Sequence, residues 1–210
     1  MKKLYEQIVA RNFLNGRILD IGFAAKPISF TGLDISGVDL QAVKCPHNYK
    51  EIKICNLNTS QIPYPDKSFD TVYLAETLIT ISNPIKLLTD CNRVLVKNGG
   101  LIVVAQNPVY YRKIFEAFRL GPVPMQQLFS ISRANMRAMG NLAKFEVEKE
   151  LGTIFKIPFT KTKIGPPINP ALAQQTIFIL RKTADFNKHI FEISCPEGGP
   201  KSIAIEENLF

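Results

Sequence analysis

Two carboxylates stand where buried strands would hand them to a ligand. Asp20 lies near the end of RILDIG (Arg17 to Gly22) and Asp39 near the end of SGVDL (Ser36 to Leu40). In each run branched apolar residues lead into an acid that has a glycine close by. Open α/β sheets bind ligands in the crevice outside the carboxyl ends of their strands. Asp39 follows Asp20 by nineteen residues, close to the roughly 20 that separate a nucleotide-binding loop from the acid holding a ribose hydroxyl. Strand, glycine turn, second strand and acid together point to a nucleoside-bearing ligand. A second pairing is open, because TGLDI (Thr31 to Ile35) also ends near an acid, Asp34. Asp39 is preferred, since its longer interval leaves room for a crossover.

The elements that must position these acids follow from apolar periodicity. An amphipathic helix is predicted over Lys3 to Phe13, ending at Asn15-Gly16. Strands are predicted over Arg17 to Ile21, Gly37 to Leu40, Lys50 to Cys55 and Phe69 to Leu74, with one helical turn or an irregular loop between Phe23 and Ser36. The link IPYPDKSFD carries two prolines and reads as turns. Asn83 caps a helix over Pro84 to Val96, with Leu87, Leu88, Cys91, Val94 and Leu95 as its buried stripe. Lys97-Asn98-Gly99-Gly100 is expected to stop that helix with a left-handed cap. Leu101 to Ala105 is wholly apolar and therefore a central strand.

Further on, helices are predicted over Tyr110 to Leu120 and Ser132 to Ala143. An antiparallel edge pair is predicted from Phe145 to Leu151 and Thr176 to Arg181. The tail from residue 184 carries scattered strand-like runs. The expected organisation is one domain over 1–183, with 109–175 covering the substrate side, and a C-terminal tail over 184–210.

Composition narrows the function. A chain of 210 residues with 46% hydrophobic residues can bury one sizeable core. No apolar run approaches the ~18 residues of a membrane span, and the N-terminus lacks a signal peptide's apolar stretch, so a cytoplasmic protein is expected. The four cysteines (45, 55, 91, 195) show no paired spacing, and Cys45-Pro46-His47 has no second pair to complete a zinc site. The net charge of +8 is concentrated in residues 109–183, where twelve Lys/Arg face four acids. That excess suits an anionic partner or simply a solvated basic face. Arg112, Lys113 and Arg119 suit peripheral contact with a lipid surface or a phosphate, or equally a solvated helix face, while Tyr110, Tyr111, Phe115 and Phe118 beside them suit packing against the sheet more than lining a substrate cavity. Nothing in the chain suggests sequence-specific nucleic-acid reading.

Four blocks in order resemble a class I S-adenosylmethionine-dependent methyltransferase of the small-molecule type. These are ILDIG, SGVDL, NLNTSQIPYPDKSFDTVYLAE and NPIKLLTDCNRVLVKNGGLIVV, spanning about residues 16–182. The resemblance implies a Rossmann-like α/β fold: a seven-stranded, mostly parallel sheet with an antiparallel last strand and helices on both faces. It implies S-adenosylmethionine as cofactor and a small molecule, or a glycan or lipid-linked precursor, as methyl acceptor. It places Gly22 near the cofactor's amino-acid portion with Asp20 supporting the loop, Asp39 on the ribose, Asn56 and Leu57 beside the adenine, and Ala75 and Glu76 facing methyl transfer.

The chain departs from that family at three points. The usual G-x-G-x-G is Gly22-Phe23-Ala24-Ala25-Lys26-Pro27, and alanine does not freely adopt glycine's positive angles. Asn56 replaces an acid. After Glu76 the family's Glu-His pair is Ile79-Thr80, so a mechanism using that histidine as base is absent from this chain. The altered loop and missing pair motivate an alternative, a methyltransferase-like binding or scaffold module without turnover. A nucleotide-dependent oxidoreductase fits less well, because the first turn lacks G-x-G-x-x-G.

Overall fold

Ile18 and Leu19 point into different cores, which is why the first strand forms where its sequence predicts it. The computed structural model describes residues 5–41, 43–110, 131–153, 155–156, 163–164 and 169–186. Among them, seven strands form one sheet: β1 (Arg17–Ile21), β2 (Asp34–Asp39), β3 (Tyr49–Ile54), β4 (Phe69–Ala75), β5 (Leu95–Gln106), β6 (Phe145–Gly152) and β9 (Gln175–Lys182). The two-residue strands β7 (Phe155–Lys156) and β8 (Lys163–Ile164) pair with each other. The sheet order is β3-β2-β1-β4-β5-β9-β6. The first five of these are mutually parallel, and β9 runs antiparallel to both β5 and β6. From β1 the chain first winds outward through β2 and β3, then returns to place β4 on β1's other side. The β1–β4 boundary is thus a topological switch point, where such sheets open a crevice at their carboxyl edge.

Helix α1 (Tyr5–Ala10), continued by a 3₁₀ turn at Arg11–Phe13, covers the face of Ile18, Ile35, Tyr49 and Tyr73. Helices α2 (Pro84–Val94) and α3 (Arg133–Leu142) cover the face of Leu19, Ile21, Val72 and Leu101. Both predicted caps are present: Asn83 accepts from the Lys86 N–H and Ser132 from the Asn135 N–H. No crossover helix joins β1 to β2. Phe23 and Ile28, both buried, fill the space on that face instead.

Several boundaries differ from expectation, chiefly the start of β5, at Leu95 rather than Leu101, the start of β2 and the end of α2. β2 begins at Asp34, three residues before the predicted strand, because Ile35 and Ser36 are also buried in the parallel ladder. The two candidate acids lie at opposite ends of this strand: Asp34 stands at the amino end of β2, paired with Lys50 at 2.7 Å, while Asp39 stands at the carboxyl end. Helix α2 ends at Val94, two residues early, and needs no left-handed cap. Its terminal carbonyls are taken by groups from elsewhere: Arg93 O by Lys67 N, Val94 O by Ser68 N, and Asn92 O and Leu95 O by Lys182 Nζ. Asn98 is left-handed (φ 59), but within β5 rather than at the helix end.

Of the basic excess, Arg133 and Arg137 pair with Glu150, Arg181 pairs with Glu148, and Lys182 is buried. The predicted helix from Tyr110, with Arg112, Lys113, Arg119, Tyr111, Phe115 and Phe118, lies outside the described residues apart from Tyr110, which is buried. Residues 184–186 continue along α2, held by Asn92 and, through Asp185, by Lys67 and Lys182. No helix among the described residues is long and apolar enough to cross a membrane.

Lys182→Met keeps the stem but removes the ammonium, leaving two buried carbonyls without their donor. The expected cost is about 2 kcal/mol, read as a lower midpoint in urea unfolding with an unchanged slope.

Candidate functional site

β1, β2 and β4 deliver their last residues to one edge. Gly22 directly follows β1 with φ 76, and its N–H donates to Val38 O at 2.8 Å. A Cβ there would fall 2.2 Å from Thr77 Oγ1, so neither the angle nor the space admits a larger residue. Thr77 in turn donates to Ile21 O at 2.8 Å, tying the loop after β4 onto the end of β1.

Asp39 reaches across the turn that follows Gly22. Its Oδ2 accepts from Ala24 N and its Oδ1 from Gln41 N, both at 2.9 Å. An ionised carboxylate offers about four acceptor sites, so each oxygen keeps a lone pair for a ligand hydroxyl. Asp39 is half-buried and pairs in register with Ile54. Leu40 and Ile54 expose 62% and 61% of their surface beside it. Large apolar side chains left open next to an acid would suit a flat heterocycle attached to a sugar.

Asp20 is buried beneath the same turn. Its Oδ2 accepts from Ile28 N at 3.2 Å and from the Tyr49 hydroxyl, so it holds the loop from below. Asp20 Oδ1 and the hydroxyl of Tyr73, its register partner on β4, have no hydrogen-bond partner among the described residues. Burial pushes the Asp20 carboxyl up to about 7 despite the Tyr49 and Ile28 hydrogen bonds. Burial, with Asp20 next to it, likewise pushes the Tyr49 hydroxyl up.

Ala75 ends β4, and Glu76 follows in a left-handed conformation, φ 59, which is uncommon for a residue with a side chain. Glu76 does not cap the next turn (Leu78–Thr80), whose N-cap is Thr77 without a side-chain bond. Its Oε2 lies 3.0 Å from Lys26 Nζ and its Oε1 accepts from Gln175 Nε2. Asn56 is exposed and accepts from Asn58 N in a local turn. Cys55 N–H donates to Asp39 O, which keeps this turn beside the acid. Leu57 is turned into the core, so only its backbone faces the edge.

Lys26, Gln175, Leu40 and Ile54 were not singled out as binding residues from the sequence. The antiparallel direction of β9 could have found Gln175, since it brings the strand's first residue to the carboxyl edge. Two side chains of the turn after β1 lie differently: Phe23 packs under the loop against Tyr49 (ring centroids 5.3 Å apart) and Gly37, whereas Lys26 spans from the β1 loop to Glu76. His47 precedes β3, at the opposite edge of the sheet.

Comparison with known proteins bears on the fold. Residues 15–104 match the family described as methyltransferase domain. The fatty-acid O-methyltransferase of Mycolicibacterium smegmatis is 25% identical over 138 residues, covering 60% of this chain and 50% of that protein. The demethylmenaquinone methyltransferase of Tropheryma whipplei is 31% identical over 98 residues, covering 42% and 41%. A solved SAM-dependent methyltransferase of Thermotoga maritima superposes with a TM-score of 0.68 at 21% identity, covering 85% of this chain and 88% of that one. The chain spans half or less of the length of the curated relatives it matches. Residues 15–104 thus resemble a methyltransferase domain, and the described sheet has the fold of solved SAM-dependent methyltransferases, the fold that the sequence motifs imply.

The raised Asp20 carboxyl makes stability depend on pH. Between about 4 and 7 the folded state keeps this proton while the unfolded chain, with an ordinary value of 3.8, has lost it. The folded state then binds more protons, so stability falls as pH rises through that window, by on the order of a few kcal/mol. Melting temperatures from pH 4 to 8 are expected to fall less steeply for Asp20→Asn than for the unaltered chain.

Proposed function

We propose that this protein transfers the methyl group of S-adenosylmethionine to a small apolar acceptor, with Asp39 holding the cofactor's ribose. The observation that carries the reading is the Asp39 carboxylate, fixed at the carboxyl end of β2 by two backbone N–H groups yet retaining lone pairs, between a glycine turn and exposed Leu40 and Ile54. Asp39 accepts the sugar hydroxyls, Leu40 and Ile54 flank the adenine, and the turn carrying Asn56 and the Leu57 backbone closes that end. Gly22 and the loop held by Asp20 border the rest of the cofactor, and Ala75 and Glu76 stand at the transfer side.

When bound, S-adenosylmethionine would supply an electrophilic methyl group on a sulfonium sulfur, a leaving group that departs as a neutral thioether. What the chain must add is alignment. A base is needed only when the accepting atom has a proton to lose. Among the described residues no imidazole stands at the carboxyl edge, and Ile79-Thr80 occupies the position of the family's Glu-His pair. An acceptor already ionised at neutral pH, such as a fatty-acid carboxylate, fits that supply. The similarity to a fatty-acid O-methyltransferase and a demethylmenaquinone methyltransferase points the same way, toward lipid-like acceptors rather than glycans. Such an acceptor partitions at membranes, which agrees with peripheral contact by a cytoplasmic enzyme.

One observation favours a binding module without turnover: the Lys26–Glu76 ion pair across the β1–β4 side of the crevice. Calorimetric titration with S-adenosylhomocysteine separates the readings together with radiolabelled methyl transfer to fatty acids of graded length. The enzyme binds the thioether and yields extractable methyl esters; a module gives no methylated product. Asp39→Ala is expected to weaken thioether binding at least tenfold, on the order of one to two charge-assisted hydrogen bonds. Equal affinity in the variant would remove the ribose assignment.

A further inference from the structure

The carboxyl edge has an apolar end and a charged end. Leu40 and Ile54 lie exposed at the β2–β3 end, while Lys26, Glu76 and Glu6 gather at the β1–β4 end. An adenosine whose sugar rests on Asp39 therefore places its base toward the first and its 5′ substituent toward the second. In S-adenosylmethionine that substituent ends in an α-amino acid, an ammonium and a carboxylate on one carbon. A lysine beside a glutamate is the complement of that zwitterion.

We propose that Lys26 and Glu76 are the receptor for the amino-acid end of the methyl donor, Lys26 binding its carboxylate and Glu76 its ammonium. The inference rests on the cofactor reading above and adds the residues that replace the missing glycines. The turn after β1 has few backbone donors to offer: Gly22 N–H is held by Val38 O, Ala24 N–H by Asp39 and Lys26 N–H by Phe23 O. A carboxylate arriving there needs a side-chain cation, and Lys26 supplies one.

The protein's own ion pair holds the receptor ready. Lys26 Nζ sits 3.0 Å from Glu76 Oε2 and 3.7 Å from Glu6 Oε1, so the three donors of the ammonium are not all taken by its two neighbours. The two side chains are 31% and 24% exposed, open to a ligand from solution. When a zwitterion docks, each charge exchanges a protein partner for a ligand partner and no charge is left bare. Glu6, with its side chain only 8% exposed, keeps a counter-charge beside Lys26 throughout. Gln175 keeps Glu76 aimed at the crevice from the far side. The ion pair that spans this end of the site in the free protein is thus its recognition element.

Two ligands isolate this end of the site. S-adenosylhomocysteine carries the amino acid; 5′-methylthioadenosine has the same base, sugar and thioether without it. Calorimetry on the full chain is expected to give tighter binding of S-adenosylhomocysteine by about tenfold or more. Lys26→Met should remove most of that difference while leaving 5′-methylthioadenosine affinity unchanged, and Lys26→Arg should restore much of it. Glu76→Gln should also weaken S-adenosylhomocysteine selectively. Retained 5′-methylthioadenosine binding reports that each variant is folded around its adenosine end. Equal loss of both ligands in Lys26→Met would overturn the proposal in favour of a loop-supporting role. Unchanged binding of both would overturn it as well. If the unaltered protein binds neither ligand, the cofactor reading itself falls, and this receptor with it.

Discussion

A strand packed on both faces cannot slip by one residue without exchanging its two cores, and β1 is such a strand. Ile18 is buried with the α1 face and Leu19 and Ile21 with the α2 face. That alternation puts Asp20 on the same side as Tyr49, Tyr73 and Phe23, beneath the turn that Gly22 begins. The positions of Asp39, Glu76 and the loop between β1 and β2 are all measured from this register, because β2 and β4 pair with β1 on either side. The edge chemistry is in this sense a by-product of core packing.

The most distinctive stretch of the sequence turns out to serve folding. Within RVLVKNGG, Arg93 donates to Ile62 O, Tyr64 O and Asp66 and is paired with Asp90 on its own helix. Asp90 also accepts from Ile62 N. One guanidinium therefore clasps the proline-rich link to α2, and that link returns N–H groups from Lys67 and Ser68 to the helix's last carbonyls. The helix end and the turn before β4 satisfy each other, which is why neither needs its own cap. A recognisable block can thus owe its character to the bonds that close a helix.

What was legible in the sequence follows the same division. β1 matched residue for residue, and β4 and the start of α2 within a residue, because apolar periodicity, Asn83 and Pro84 are local signals. The start of β2 was hidden by Asp34, Ser36 and Gly37, which break the apolar run; Gly37 is small because the Phe23 ring lies where its Cβ would be. The end of α2 depended on Lys182, a residue far along the chain, so no local reading could place it. Asp20, Gly22 and Asp39 came from strand ends and were found at one edge. Lys26, Glu6 and Gln175 form contacts across much of the chain, and only the assembled sheet brings them to Glu76.

The reversed direction of β9 has a consequence for how such a protein diversifies. A parallel strand would present its last residue to the ligand edge and then carry the chain away. β9 instead enters the sheet there, with Gln175 already bonded to Glu76 and Asn107 gripping the carbonyls of Pro170, Ala171 and Ala173 just upstream. A change of length or sequence just ahead of that anchor leaves the ladder bonds of the seven-stranded sheet in place. Variation can be admitted at this doorway while the inherited frame behind it stays untouched.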